Sequence, residues 1–198
     1  SWQKALAIDP ARADLRVKLA RAHYFLADGH LRFDEERETE MVANLRMGTD
    51  QAELGLGQKY PAFASKFCSR QPFSVALQQL DKGALGAMYW YATNLGKYAL
   101  ATSIVEVLNQ KDRIEAMMGL VKTLQPGFFH YAADRYFGAY FTKIPFPSGD
   151  LDKSKRLNIG FAEHGPCDAT LLKSIEKHRK NTYDFIGGGA PQLPPPRP

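Results

Sequence analysis

The stretch that decides the fold is GALGAMYWYATNLGKYALATSIVEVLN, Gly83–Asn109. It carries no charge from Gly83 to Gly96, and alanine and glycine recur through its interior, so a neighbouring helix can approach it closely. The uncharged run is shorter than the roughly 18–20 apolar residues that a membrane span requires. We therefore predict one long, buried helix at the centre of the molecule.

Apolar residues spaced three and four apart predict helices on both sides of this stretch. The predicted segments are a helix through Leu15–Leu26 that ends near Gly29, then Phe33–Lys59, short segments at Phe63–Lys66 and Pro72–Leu80, then Arg113–Leu124, Phe128–Phe141, Asp150–Glu163 and a basic, amphipathic Ala169–Phe185. No convincing alternating strand pattern occurs, so the sequence predicts an all-α fold. Residues 187–198 hold three glycines and five prolines, which is typical of an extended tail. We expect one domain at 1–186 and a tail at 187–198.

Composition places the 198-residue chain among ordinary globular proteins, with 44% apolar and 24% charged residues. The formal charge of +5 is too thinly spread to indicate a nucleic-acid partner. Two basic runs, Lys153–Arg156 and Lys173–Lys180, are either solvated helix faces or an anion-binding patch.

Degenerate internal repeats indicate how the helices associate. Trp2, Ala5 and Pro10 fit the second half of a tetratricopeptide unit, in which a large residue, a small residue and a closing proline recur. The spacing from Ala5 to Pro10 recurs between Phe161 and Pro166. Further matches are Leu19-Ala20, His23-Tyr24, Met118, Val121, Pro126, Phe137-Gly138, Phe141, Ser154 and Asn158. Helical hairpins of this kind stack, so we predict a tetratricopeptide-like α-solenoid.

The motifs of common enzymes and metal sites are absent from the sequence. Its five histidines form no HxxxH or HExxH pattern, so we expect no metal, no cofactor and no catalytic residues. Cys68 and Cys167 lack CxxC spacing and are either two buried thiols or one structural disulfide.

The candidate ligand site lies in MYWYATNLGKYA, residues 88–99. Trp90, Asn94 and Lys97 are spaced i, i+4 and i+7, so they share one face of a helix, and Tyr89 lies beside it. An aromatic ring, an amide and a cation can together hold an apolar ligand that carries a carboxylate. The alternative is that Trp90 packs in the core, Asn94 bonds buried backbone and Lys97 only extends to solvent. Arg135 and Tyr136, on a later helix, are candidates with the same alternative.

The stretches MYWYATNLGKYA (88–99) and YFGAYFTKIPFPSGDLDKSK (136–155), together with the long insert between Gly96 and Met118, resemble one family. It is the T component associated with TRAP (tripartite ATP-independent periplasmic) transporters. The resemblance runs from about Trp2 to Phe161, and Ser148 stands where the family usually has the first glycine of a GGD turn.

The resemblance implies a periplasmic, often lipid-anchored accessory protein without catalytic residues, whose partner is a solute-binding protein. Ser1 is not a natural start, so anchoring through a missing N-terminal segment stays open. An oxidising periplasm would allow a Cys68–Cys167 disulfide. We expect a binding scaffold that presents a concave helical surface to a protein partner or holds a small organic acid between its helices. The alternative is a structural subunit of a larger membrane-associated complex, with the basic last helix and the tail as docking elements, and a homo-oligomer is also open.

Overall fold

A computed structural model describes residues 2–69, 71–144 and 149–164. The regular structure in these ranges is entirely helical and contains no strand, which confirms the all-α prediction. The α-helices are α1 (Trp2–Ile8), α2 (Ala13–Gly29), α3 (Glu38–Lys59), α4 (Pro61–Cys68), α5 (Phe73–Leu77), α6 (Leu85–Thr102), α7 (Ile104–Leu124), α8 (Ala132–Lys143) and α9 (Leu151–His164). No helix within the described ranges is both long enough and apolar enough to cross a membrane.

The core is built around α6. Helices α2 and α3 pack against each other and both pack against α6, while α7 covers another side of α6 and α8 pairs with α9. Met88, Tyr91 and Ala92 of α6 are almost fully inaccessible to solvent. Burying one large apolar side chain contributes about 1.5–3 kcal/mol, so α6 supplies much of the stabilisation. Helix α6 therefore occupies the central position that its sequence predicts.

The predicted continuous helix Gly83–Asn109 is interrupted, and that prediction was wrong at its C-terminal end. Ser103 is extended (φ −171°, ψ 161°), and its hydroxyl accepts a hydrogen bond of 3.1 Å from the backbone N–H of Glu106. This cap satisfies an amide that would otherwise lack a partner, so a new helix begins at Ile104. Helix α7 then continues to Leu124, with no break before Arg113.

Two other predicted helices begin later than expected. The segment from Phe33 forms 3-10 turns at Leu31–Phe33 and Glu35–Arg37 before α3 begins at Glu38. The segment from Phe128 cannot be α-helical throughout, because Phe129, His130 and Tyr131 have φ of 45°, 56° and 54°. These left-handed residues delay the start of α8 to Ala132.

Five predictions lie outside the described residues. They are Ser148 in the family-like turn, the closing Pro166 of the last repeat, the basic helix Ala169–Phe185, the extended tail 187–198 and the position of Cys167. The domain division at residue 186 therefore stays a prediction, as does the tail.

Candidate functional site

A cavity lies among α6, α7 and α8, with Tyr24 of α2 also reaching its wall. Its volume is about 240 Å³. Leu100, Val107, Ile114 and Ile144 supply the larger aliphatic groups of the lining. The wall is therefore mostly apolar, which is typical of sites for small organic molecules.

Four tyrosines surround this cavity: Tyr24, Tyr89, Tyr136 and Tyr140. The hydroxyl of Tyr136 donates to the carbonyl of Ala92 at 3.3 Å, and that of Tyr140 donates to the carbonyl of Lys111 at 3.3 Å. Burial raises the pKa of all four phenols. They stay protonated at neutral pH and act as neutral hydrogen-bonding groups.

Four cationic side chains also line the cavity, and no carboxylate side chain is among its described lining residues. Lys97 pairs with Asp28 at 2.7 Å, and Lys111 pairs with Asp112 at 2.9 Å. Lys143, at the end of α8, is exposed. The cavity therefore combines an apolar wall with an excess of positive charge.

Asp28 is not among the lining residues, but its ion pair holds the ammonium of Lys97 in place at the cavity wall. Burial opposes ionisation of Asp28, but the hydrogen bond and charge of Lys97, with Arg32 and Tyr24, outweigh it, so the pKa of Asp28 is lowered. Tyr24 donates to Asp28 at 3.1 Å. A lysine ammonium has three N–H donors, so Lys97 can bind Asp28 and a second acceptor together.

Arg135 is the fourth cation and is held by the turn that precedes α8. Its guanidinium donates to the carbonyl of Phe129 at 3.1 Å and to that of His130. Both carbonyls belong to the left-handed turn, which costs energy for residues other than glycine. The turn thus fixes the orientation of Arg135, which lines the cavity.

The predicted stripe of Trp90, Asn94 and Lys97 exists, and it faces α2. Trp90 is only 8% exposed and its ring lies 5.6 Å from that of Tyr24. Asn94 is fully buried and donates to the carbonyl of Ala20 at 3.1 Å. The helical spacing thus brings the three residues together along a helix–helix contact, and only Lys97 reaches the cavity.

The structure gathers Tyr89, Lys97, Arg135 and Tyr136 at the cavity, and leaves Trp90 and Asn94 outside its lining. Ligand binding by any of these residues stays a prediction. Sequence analysis missed Tyr24, Tyr140, Lys111 and Lys143. Their contribution could have been suspected on α8, where Tyr136 and Tyr140 are spaced i, i+4 and Lys143 follows one turn later. Tyr24 and Lys111 come from other helices, so no local pattern marks them.

A second, shallower depression of about 410 Å³ lies between α1 and α2. Its ionisable lining is limited to His23, whose ring nitrogen is already 2.8 Å from the side-chain oxygen of Asn44. The described lining of this groove contains no lysine or arginine, so the cavity is the better candidate site for an acid.

The described residues contain no group of three or more histidine, cysteine, aspartate or glutamate side chains that could hold a metal ion. Cys68, at the end of α4, is exposed. Because its predicted partner Cys167 lies outside the described residues, the disulfide stays a prediction.

Comparison with known proteins identifies the family. No curated protein sequence matches the chain. A family model described as "TRAP transporter T-component" matches residues 4–157, which include the whole cavity. This is a family of transporter accessory proteins and not a known enzyme family. The match covers more than three quarters of the sequence, and the chain therefore belongs to the TRAP transporter T-component family.

Proposed function

We propose that this chain is a non-enzymatic accessory of a TRAP transporter that holds a small organic acid in the cavity among α6, α7 and α8. One observation carries the proposal: four cationic side chains line a mostly apolar cavity whose described lining contains no carboxylate side chain. An anionic head and an apolar body together complement such a lining.

The acid would lie with its apolar body against Leu100, Val107 and Ile114, where burial of apolar surface favours binding. Its carboxylate would accept a hydrogen bond from Lys97, because the ammonium has three N–H groups and its bond to Asp28 uses only one of them. Lys143 makes no ion pair among the described residues, so its charge adds to the attraction. The volume of about 240 Å³ lies below the 300–1,000 Å³ of typical drug-sized sites, so the ligand is small.

The cellular setting follows from the family. A TRAP transporter component has a periplasmic or membrane-associated role. Within that role we propose a periplasmic scaffold of stacked, tetratricopeptide-like hairpins that contacts the solute-binding protein of its transporter. The ordered packing of α2 and α3 on each other and on α6 supports this arrangement.

Calorimetric titration with matched pairs of ligands tests the site. The acids are indole-3-acetate, 4-phenylbutyrate and octanoate, and each is compared with its own amide, which has nearly the same shape without the charge. We expect at least one acid to bind at least tenfold more tightly than its amide, a difference of about 1.4 kcal/mol. Equal affinity, or no binding by any acid, would contradict the proposal.

A pair of leucine variants tests the location. Leu100 lines the cavity and is 48% exposed, whereas Leu108, outside the lining, is 46% exposed. Leu100→Glu places a negative charge at the cavity and should weaken acid binding at least tenfold. Leu108→Glu makes the same chemical change at equal exposure and should leave the affinity unchanged. Equal losses in the two variants would show that the acid binds elsewhere.

A further inference from the structure

Arg135 takes part in two features of the molecule at once. It lines the cavity, and its guanidinium donates hydrogen bonds to the carbonyls of Phe129 and His130 in the left-handed turn, residues 129–131. The guanidinium carbon also lies 6.0 Å from the centroid of the Phe129 ring. A second link is Tyr89, which lines the cavity and whose ring centroid lies 5.6 Å from that of Phe129. The turn and the cavity are therefore in contact through the same side chains.

The left-handed turn depends on Arg135, because its backbone conformation is unfavourable by itself. Its three residues have φ of 45°, 56° and 54°, and each carries a Cβ that crowds the following carbonyl oxygen in this conformation. Residues in such conformations persist only where the surrounding structure holds them. Hydrogen bonds from a charged donor are stronger than those between neutral groups, and Arg135 donates two of them to the turn. The geometry of the turn and the position of the guanidinium therefore depend on each other.

The two cations Lys97 and Arg135 are held at the cavity in different ways. Lys97 is held by an ion pair with Asp28 at 2.7 Å, whereas the bonds from Arg135 to the turn go to backbone carbonyls. A guanidinium presents five N–H donors in a planar fork, so one group can hold the turn and also bind a carboxylate. Binding to a side chain that is already oriented costs less conformational entropy than ordering a mobile one. The turn thus determines how well Arg135 is prepared for an acid.

We propose that the left-handed turn is a positioning device for acid binding, and that an acid bound to Arg135 stabilises the turn in return. This inference rests on the proposed acid site, and it adds His130 as a positioning residue that lies outside the cavity lining. The coupling is reciprocal: the factor by which the held turn strengthens acid binding equals the factor by which the acid favours the held turn. Phe129, which is 44% exposed, is the part of the turn through which a bound acid alters the protein surface.

Calorimetric titration of His130 variants tests the coupling from the side of the turn. His130 is exposed and outside the lining, so a substitution there leaves the cavity wall intact. His130→Val should weaken binding of the tightest acid of the panel about fivefold, because a β-branched residue disfavours a positive φ. Binding of the matching amide should weaken less than about twofold, since an uncharged head gains less from a guanidinium. His130→Gly accepts φ of 56° without strain and should bind the acid at least as tightly as the wild-type chain.

Two controls separate this coupling from general damage to the fold. His30→Val makes the same substitution at another exposed histidine, whose φ of −130° is already negative, and should leave the affinity for the acid unchanged. In the background of Arg135→Gln, His130→Val should have no further effect, because the side chain that links the turn to the cavity is then missing. Circular dichroism of each variant establishes that it is folded before its affinity is compared.

Limited proteolysis of the wild-type chain tests the coupling from the side of the ligand. Chymotrypsin cleaves after aromatic residues, and it cleaves after Phe129 and Tyr131 only when the turn opens. A saturating acid should slow cleavage at these two sites by about the same fivefold factor, and its amide should slow it less. Phe33, which is 72% exposed and outside the cavity lining, is the internal control, and cleavage after it should not change.

A His130→Val protein that is folded and binds the acid as tightly as the wild-type chain would overturn the coupling. Equal losses of affinity for the acid and its amide would also overturn it, because the turn would then act on the fold and not on the charge of the ligand. So would an acid that slows cleavage at the turn no more than cleavage after Phe33. A wild-type chain that binds none of the acids contradicts the proposed function itself, and this inference falls with it.

Discussion

Substituting Gly48 by alanine should destabilise the protein, although alanine is the better helix former. Gly48 lies within α3 where this helix crosses α6. A Cβ at this position would lie 2.6 Å from Cγ and 2.9 Å from Nδ2 of Asn94. Asn94 has no room to withdraw, since it is fully buried and its amide donates to the carbonyls of Ala20 and Trp90.

The expected magnitude is the difference between opposing effects. Replacing glycine by alanine within a helix stabilises it by about 1 kcal/mol. Overpacking costs about 1–3 kcal/mol, and displacing the Asn94 amide from its buried carbonyls costs about 1–3 kcal/mol more. We therefore expect Gly48→Ala to lower the free energy of unfolding by about 3 kcal/mol. For a chain of this size, the melting temperature should fall by about 6–12 °C.

Urea unfolding followed by circular dichroism measures this change, and Gly57→Ala is the matched control. Gly57 lies in the same helix, but a Cβ there would meet only the Ala64 Cβ, at an ordinary 3.5 Å. Gly57→Ala should therefore stabilise the protein by about 0.5–1 kcal/mol. In the background of Asn94→Ala, which empties the space, Gly48→Ala should also become stabilising. A Gly48→Ala protein as stable as Gly57→Ala would refute the reasoning about this helix crossing.

Further predictions concern the ion pair behind the cavity, the start of α7 and the strained turn. Because the pKa of Asp28 is lowered in the folded protein, its ionisation stabilises the fold above pH ~4, and this stabilisation is lost as pH falls through the folded-state pKa. Lys97→Met should raise the pKa of Asp28, which carboxyl ¹³C NMR measures; an unchanged pKa would contradict the pairing. The same variant should lower the free energy of unfolding at pH 7 by about 1 kcal/mol, a small value because Lys97 is 39% exposed. Ser103→Ala should cost about 1 kcal/mol in urea unfolding through loss of the α7 cap, whereas no loss would mean that α6 and α7 are not separated by that cap. His130→Gly should stabilise the protein by about 0.5–1 kcal/mol, because glycine accepts φ of 56° without strain, and a lower melting temperature would argue against the left-handed turn.

The helix boundaries show which local signals sequence analysis used and which it missed. Ser103 and Glu106 have the S-x-x-E spacing of a capping box, and the Ser103 hydroxyl makes the first of its two bonds, so a recognisable start signal lies inside the stretch predicted as one helix. The break at residue 103 was therefore predictable from sequence. The left-handed turn at Phe129–Tyr131 was not, because no glycine or asparagine marks it and the side chain of Arg135, five and six residues further along the chain, binds the carbonyls that hold it.

The candidate site shows a different limit. Helical spacing alone placed Trp90, Asn94 and Lys97 on one stripe, but spacing cannot tell whether a stripe faces solvent or another helix. Tyr24 and Asp28 on α2 decide that question, since they contact Trp90 and Lys97 respectively. The cavity depends on such pairings between distant parts of the chain, so its lining emerged only from the fold.

Backbone NMR of the isotope-labelled chain, titrated with the tightest-binding acid of the panel, tests the central claim most directly. If the acid occupies the cavity among α6, α7 and α8, the largest amide shift changes should fall at Gly96, Leu100, Ile114 and Ala139, which lie on all three helices and line it. Changes concentrated instead in the groove between α1 and α2, at Leu19 and the other residues that line it, would contradict the claim and place the ligand at the other site.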